Sequence, residues 1–146
     1  VVKVSDDDLA ILGFGAGEPI AAARALLTQT PARWLALTMG AQGAVLMHRD
    51  GPAWHAIETA PVKVADTVGA GDCFLAGMLV ALLERPAMKT AIHADALQLG
   101  AADIEHILRH AVASASLCVQ AIGCAPPSLD QVRARTQVNK AAVKAL

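Results

Sequence analysis

The apolar positions of this chain follow two patterns. Short unbroken or alternating runs suit strands, and a spacing near 3.6 suits helices. Val1, Val2 and Val4 form a β-branched run broken only by Lys3, which predicts a strand. Ser5-Asp6-Asp7-Asp8 then offers an N-cap and an acidic first turn, and residues 9–12 continue as a short helix. Residues 13–17 carry three glycines. They follow a helix and not a strand, so they read as a flexible turn and not as a dinucleotide fingerprint. From Glu18 to Leu27, the residues Ile20, Ala23, Leu26 and Leu27 give a helix an apolar stripe, and Pro31 closes the segment. Residues 34–38 are an apolar run of the length of a buried strand. Residues 44–48 and 53–57 predict two more strands, joined as a hairpin by Arg49-Asp50-Gly51-Pro52.

Pro61-Val62-Lys63-Val64-Ala65 reads as a short strand or extended run. Residues 73–83 are apolar nearly all round, as in a buried helix, and Glu84-Arg85-Pro86 breaks it. Residues 87–100 are mixed and read as a variable loop. Asp103 is then expected to cap a long helix carrying Ile104, Ile107, Leu108, Ala111, Ala115 and Leu117 at helical spacing, with Gly123 as its C′ residue. Ser128 caps a last helix through Arg135. The basic tail from 136 to 146 reads as weakly helical and frayed. Strands alternating with helices predict an α/β fold with right-handed crossovers and a ligand at the carboxyl ends of the strands.

Composition narrows the function. The chain has 146 residues, 55% of them hydrophobic, and a mean hydropathy of +0.46, which excludes a disordered segment. A net charge of −1 gives no electrostatic case for nucleic acid or an anionic membrane surface. The longest apolar stretch is too short to span a bilayer, and the first residues lack the pattern of a signal peptide. Cys73, Cys118 and Cys124 are odd in number and lack C-x-x-C spacing; Cys73 and Cys118 read as reduced core residues. His106 and His110 lie four apart on one helix face and read as rim residues.

The chemistry centres on Asp66-Thr67-Val68-Gly69-Ala70-Gly71-Asp72. An extended run, a turn of small residues and a helix start together make an anion site. Small residues let backbone N–H groups approach a ligand, and the helix dipole adds positive potential there. Asp72 lies in the first turn of that helix, beside the anion. It reads either as a cap or as a general base for an attacking hydroxyl.

The run from Asp66 to Leu79 resembles the D-T-x-G-A-G-D signature of the ribokinase-like (pfkB) sugar kinases and matches every fixed position. Thr38-Met39-Gly40-Ala41-Gln42-Gly43 is similar to the family's T-L-G-x-x-G nucleotide loop and precedes the signature in the family's order. Ser5 and Asp8 fall where the family has N-x-x-E, with Ser in place of Asn and Asp in place of Glu. The wording around them resembles bacterial fructokinases. The resemblance implies a three-layer αβα sandwich, of which this chain is the C-terminal part: a mostly parallel sheet with a β-hairpin, without the N-terminal half and its lid. It implies ATP-dependent phosphorylation of a sugar hydroxyl, with Gly69, Ala70, Gly71 and Asp72 as the anion hole and Asp72 as base. Thr38, Gly40, Ala41 and Gly43 would border ATP, and Val112 and Ser114 would wall the adenine. Asp8 would reach Mg2+ through water, and Asp66 and the Val68 carbonyl would hold a monovalent cation such as K+. Expected partners are ATP and a small sugar, in a cytoplasmic enzyme that dimerises at full length. A nucleoside, ribose, a keto-deoxy sugar acid or a hydroxymethylpyrimidine as acceptor stays open, as does a non-catalytic nucleotide-binding fragment.

Overall fold

The connection lengths decide how the strands pair. In the computed structural model, which describes residues 1–15, 17–86 and 98–146, the first strand β1 (Val2–Ser5) leads into α1 (Asp6–Leu9), a π-helical turn (Ala10–Phe14) and α2 (Pro19–Thr28). This long crossover returns the chain in the same direction, so β2 (Trp34–Thr38) pairs parallel with β1, Val2 opposite Leu35 and Ser5 opposite Thr38. The next connections are too short for a crossover. A 3-10 turn (Gly40–Gln42) leads into β3 (Ala44–His48), and a tight turn leads into β4 (Ala53–Ile57). Both pairings are antiparallel, with Ala36 opposite Leu46 and Leu46 opposite Trp54. The sheet runs β1-β2-β3-β4-β5 and is mixed, not mostly parallel as expected.

The fifth strand, β5 (Ala142–Ala145), corrects the expectation of a frayed, weakly helical tail. Ala, Lys and Leu favour helix intrinsically, but the open edge of β4 offers a ladder of backbone partners, and the Leu146 amide donates to the Ala53 carbonyl at 2.9 Å.

The chain divides into two compact units: Val1–Ile57 with Val143–Leu146, and Glu58–Ala142. In the first, Val4, Leu9, Ala23, Leu27, Leu35, Leu37, Val45 and Met47 form the core. Ala23 and Leu27 are the buried stripe of α2, as the spacing predicts. Arg49 holds the α2–β2 connection: its guanidinium donates to the carbonyls of Thr30 and, at 2.7 Å, Ala32. Those carbonyls sit just beyond the end of α2, where a cation is favoured by the helix dipole.

In the second unit no strand forms at 61–65; the amides of Ala65 and Asp66 both donate to the Val119 carbonyl, at 2.8 and 3.3 Å. Among the described residues three helices follow: α3 (Ala70–Leu83), α4 (Ala101–Cys118) and α5 (Leu129–Val138). α3 and α4 cross closely at Gly77, where an added Cβ would lie 2.2 Å from Ser114 Oγ. Cys73, Phe74, Met78, Ala81 and Leu82 are buried, but Leu79, Val80 and Leu83 are exposed, so α3 is not covered all round. α4 starts earlier than expected, with Gly100 as N-cap and Asp103 in its first turn accepting from the Gly100 amide and the Arg85 guanidinium. It also ends at Cys118, well before Gly123. Cys73 and Cys118 are buried free thiols, as expected. Ser128 caps α5, which runs three residues past Arg135. Arg135 pairs at 2.8 Å with Glu58, both largely buried. Burial raises the Glu58 pKa, but the Ala60 amide and Arg135 outweigh it and hold the carboxyl below its usual range. Of the loop expected at 87–100, residues 87–97 lie outside the described residues.

Candidate phosphate turn and nucleotide loop

The predicted site residues fall into two sets. Asp8, Thr38, Gly40, Ala41 and Gly43 belong to the first unit, and Asp66, Val68, 69–72, Val112 and Ser114 belong to the second.

In the first set, Thr38 ends β2 and its hydroxyl donates to the Val4 carbonyl at 3.4 Å. The chain then closes on itself: the Met39 amide donates to Gly43 at 2.9 Å and the Gly43 amide to Gly40 at 3.1 Å. Gly40 and Ala41 are exposed at the tip, open to a ligand. Gly43 is needed by the sheet itself. Its φ is +90°, and a Cβ there would sit 2.1 Å from the Ala56 carbonyl oxygen. Gly43→Ala is therefore expected to cost at least about 2 kcal/mol of stability by urea unfolding, because the strained φ and the clash add. A loss under about 0.5 kcal/mol would show that the turn adapts freely.

Asp8 sits at the third position of α1 in a capping box: its carboxylate accepts from the Ser5 amide at 2.8 Å, and Ser5 Oγ accepts from the Asp8 amide at 3.0 Å. The Ser5 amide, then the Ser5 hydroxyl, hold the Asp8 carboxyl below its usual range. One carboxylate oxygen, Oδ1, carries no bond among the described residues and fits an outer-sphere contact to hydrated Mg2+.

In the second set, Asp66 organises the turn. Its Oδ1 accepts from the Val68 amide at 3.0 Å and its Oδ2 from the Gly123 amide at 2.8 Å. The Val68 amide first, and then that of Gly123, lower its pKa by bonding the ionised form. Because the folded pKa is lowered, the stabilisation is complete above the unfolded value, about 3.9, and is lost as pH falls through the lower folded value. Asp66→Asn should thus melt below the native protein at pH 6, and the gap should narrow towards pH 3. A gap constant with pH would exclude this linkage. Cys118 donates its thiol to the Val68 carbonyl at 3.6 Å. Asp66 and Val68 keep spare lone pairs, so this all-oxygen pair fits a hard monovalent cation.

Gly69 has φ +79° and caps α3, and its Cα faces Cys124, whose Sγ would lie 2.3 Å from an added Cβ. The Ala70 amide donates to the Thr67 carbonyl at 3.2 Å and is spent within the turn, which corrects the expected four-amide cradle. The amides of Gly69, Gly71 and Asp72 have no backbone partner among the described residues. They are the free donors at the start of a 14-residue helix. Asp72 is not the cap. It lies in the first turn, exposed, and its carboxylate has no hydrogen-bond partner among the described residues.

Val112 and Ser114 do not line an open surface. They are 6% and 3% exposed, and Ser114 packs on Gly77. The run of small residues in α4 serves close helix packing, which overrides the adenine-wall expectation for Ser114. His110 is also buried, not at a rim. Gly123, expected only as a helix C′ residue, instead gives its amide to Asp66, and Cys124, in the run that resembles the family's closing segment, packs against Gly69 from beyond the end of α4.

Known proteins resemble this chain in sequence and fold. The profile of the pfkB family carbohydrate kinases matches residues 1–131. No curated protein matches. Among solved structures, the aminoimidazole riboside kinase from Salmonella enterica, complexed with aminoimidazole riboside and an ATP analog, is 30% identical with a TM-score of 0.69, over 90% of this chain and 40% of its own. The fructokinase from Vibrio cholerae, in its fructose, ADP and calcium ion bound form, is 25% identical with a TM-score of 0.69, over 91% and 39%. The ribokinase from Thermotoga maritima shares the fold, with 21% identity and a TM-score of 0.70, over 92% and 41%. The chain thus spans about two-fifths of the length of each of these proteins. With its α/β fold, mixed five-stranded sheet and D-T-x-G-A-G-D turn, the chain belongs to the pfkB family of carbohydrate kinases.

Proposed function

We propose that this chain supplies the ATP-binding and phosphoryl-transfer part of a kinase acting on a sugar hydroxyl, with fructose as the first candidate acceptor. The observation that carries this reading is the pairing of free amides at Gly69, Gly71 and Asp72 with an exposed, unpartnered carboxylate on Asp72. Phosphoryl transfer needs positioning and stabilisation of charge on the transferred group more than covalent chemistry. The three amides receive the γ-phosphate oxygens. The Asp72 carboxylate takes the proton of the acceptor hydroxyl as its oxygen attacks phosphorus, and ADP leaves. The proton passes to carboxylate oxygen, the O–P bond forms, and the bond to the β-phosphate oxygen breaks. The tip of the 38–43 loop would border the nucleotide. Mg2+, approached through water by Asp8, would neutralise phosphate charge when bound. K+ at Asp66 and Val68 would brace the turn behind the anion.

A riboside acceptor is the second reading. It is favoured by the 30% identity with the aminoimidazole riboside kinase. The test is a coupled ADP-release assay on the intact protein with a panel of fructose, ribose, aminoimidazole riboside, nucleosides and 2-keto-3-deoxygluconate. Turnover with fructose supports the first reading and turnover with ribosides alone supports the second. ATP binding without any acceptor-dependent turnover would leave a nucleotide-binding module and end both.

A further inference from the structure

The 38–43 loop spends most of its amides on itself. The Met39 amide donates to the Gly43 carbonyl, the Gln42 amide to Met39 at 3.0 Å and the Gly43 amide to Gly40. The amides of Gly40 and Ala41 have no backbone partner among the described residues, and both residues are exposed at the tip. These two N–H groups are the donors the loop has left for a ligand. Their direction depends on how the loop is anchored. Its own backbone anchors it weakly, because Gly40 and Gly43, at φ +52° and +90°, resist rotation less than any other residue would.

Two neighbours on β4 supply the anchor. Ala44 pairs with Ala56 and Val45 with His55, so β4 runs beside the exit of the loop. Gly43 lies tight against the Ala56 carbonyl. The half-buried His55 reaches back to the loop, and its Nε2 donates to the Gln42 carbonyl at 2.7 Å. A carbonyl oxygen only accepts, so this nitrogen carries a proton in the neutral ring and in the imidazolium alike. The peptide between Gln42 and Gly43 therefore has its oxygen bonded to His55 and its N–H bonded to Gly40. A peptide unit is planar, so bonding both of its polar ends fixes the orientation of the whole unit. Without the imidazole the Gln42 carbonyl is free to turn to water, and the tip turns with it.

We propose that His55 is a positioning residue for the nucleotide: its Nε2–H holds the loop in the conformation that presents the Gly40 and Ala41 amides. The inference deepens the kinase reading and rests on it. A loop already held loses little freedom when ATP binds. An untied loop must be ordered at that moment, and the cost appears as weaker binding. His55 is not a group of the phosphate turn, so its effect falls on nucleotide affinity and not on the transfer step.

The test compares His55→Leu, which removes the donor and keeps apolar bulk, with His55→Gln, which keeps an N–H at similar reach. In the intact protein His55→Leu is expected to weaken ATP binding by calorimetry, and to raise the ATP KM, about three- to tenfold, with kcat within about twofold, the span of one net hydrogen bond. His55→Gln should recover most of that loss. A merely structural role would lower the melting temperature without separating KM from kcat and without rescue by glutamine. Native ATP affinity in a folded His55→Leu, or a His55→Gln as weak as His55→Leu, would overturn the proposal. So would 15N NMR of the native protein that places the proton of the neutral ring on Nδ1. A native protein that binds no ATP would overturn the kinase reading itself and this inference with it, so the two failures are told apart.

Discussion

Asp72→Asn is expected to lower acceptor-dependent turnover by about 10²–10⁴-fold while leaving ATP affinity within about twofold. The amide keeps the size and the neighbouring backbone donors but cannot accept the proton of the attacking hydroxyl. Stability should barely change. The native carboxylate makes no hydrogen bond among the described residues, and its interaction with the start of α3 is worth roughly 0.3–1 kcal/mol. The measurement is a kcat and KM pair for the intact protein, with a melting curve as control. Native turnover in a folded variant would remove Asp72 from the chemistry and with it the proposed mechanism.

Gly71→Val should act on the other half of the mechanism. The substitution places two methyl groups beside the free amides of Gly71 and Asp72, where a phosphate oxygen must approach to about 3 Å. Each lost charge-assisted hydrogen bond is worth roughly 1.5–3 kcal/mol, so losing two should weaken ATP binding by a hundredfold or more. Residue 71 is already helical, and valine costs a helix well under 1 kcal/mol, so the fold should survive. Calorimetric titration with ATP reads the result. Unchanged affinity would mean that the phosphates bind elsewhere. Asp72→Asn should lose turnover and keep binding, and Gly71→Val should lose both; the contrast assigns the two roles independently.

Local signals were legible wherever they were self-sufficient. β2, β3, β4 and their turns fall where the apolar runs and the Arg49-Asp50-Gly51-Pro52 punctuation place them. Glu18 caps α2 and Ser128 caps α5 through side chains that accept from amides only three positions away. The D-T-x-G-A-G-D run was legible because every residue of the turn is contiguous. What Cys124, Ser114 and His110 do was not legible, since each depends on a partner distant in sequence. Gly77 fits against Ser114, and Gly69 against Cys124, only after helices and loops have come together.

The order of the residues alone determined the α/β alternation, the hairpin, the glycine turn and the acid that follows it, because hydrophobic period, capping and φ preference act over a few neighbouring positions. Tertiary structure alone decided three things. It drew the tail 142–145 into the sheet against its helical propensity, because an open strand edge supplies more backbone bonds than an isolated helical turn. It spent the Ala70 amide inside the turn and left its neighbours free, because Thr67 curls back to meet it. And it buried the small-residue face of α4, because close helix packing takes that face before any ligand can.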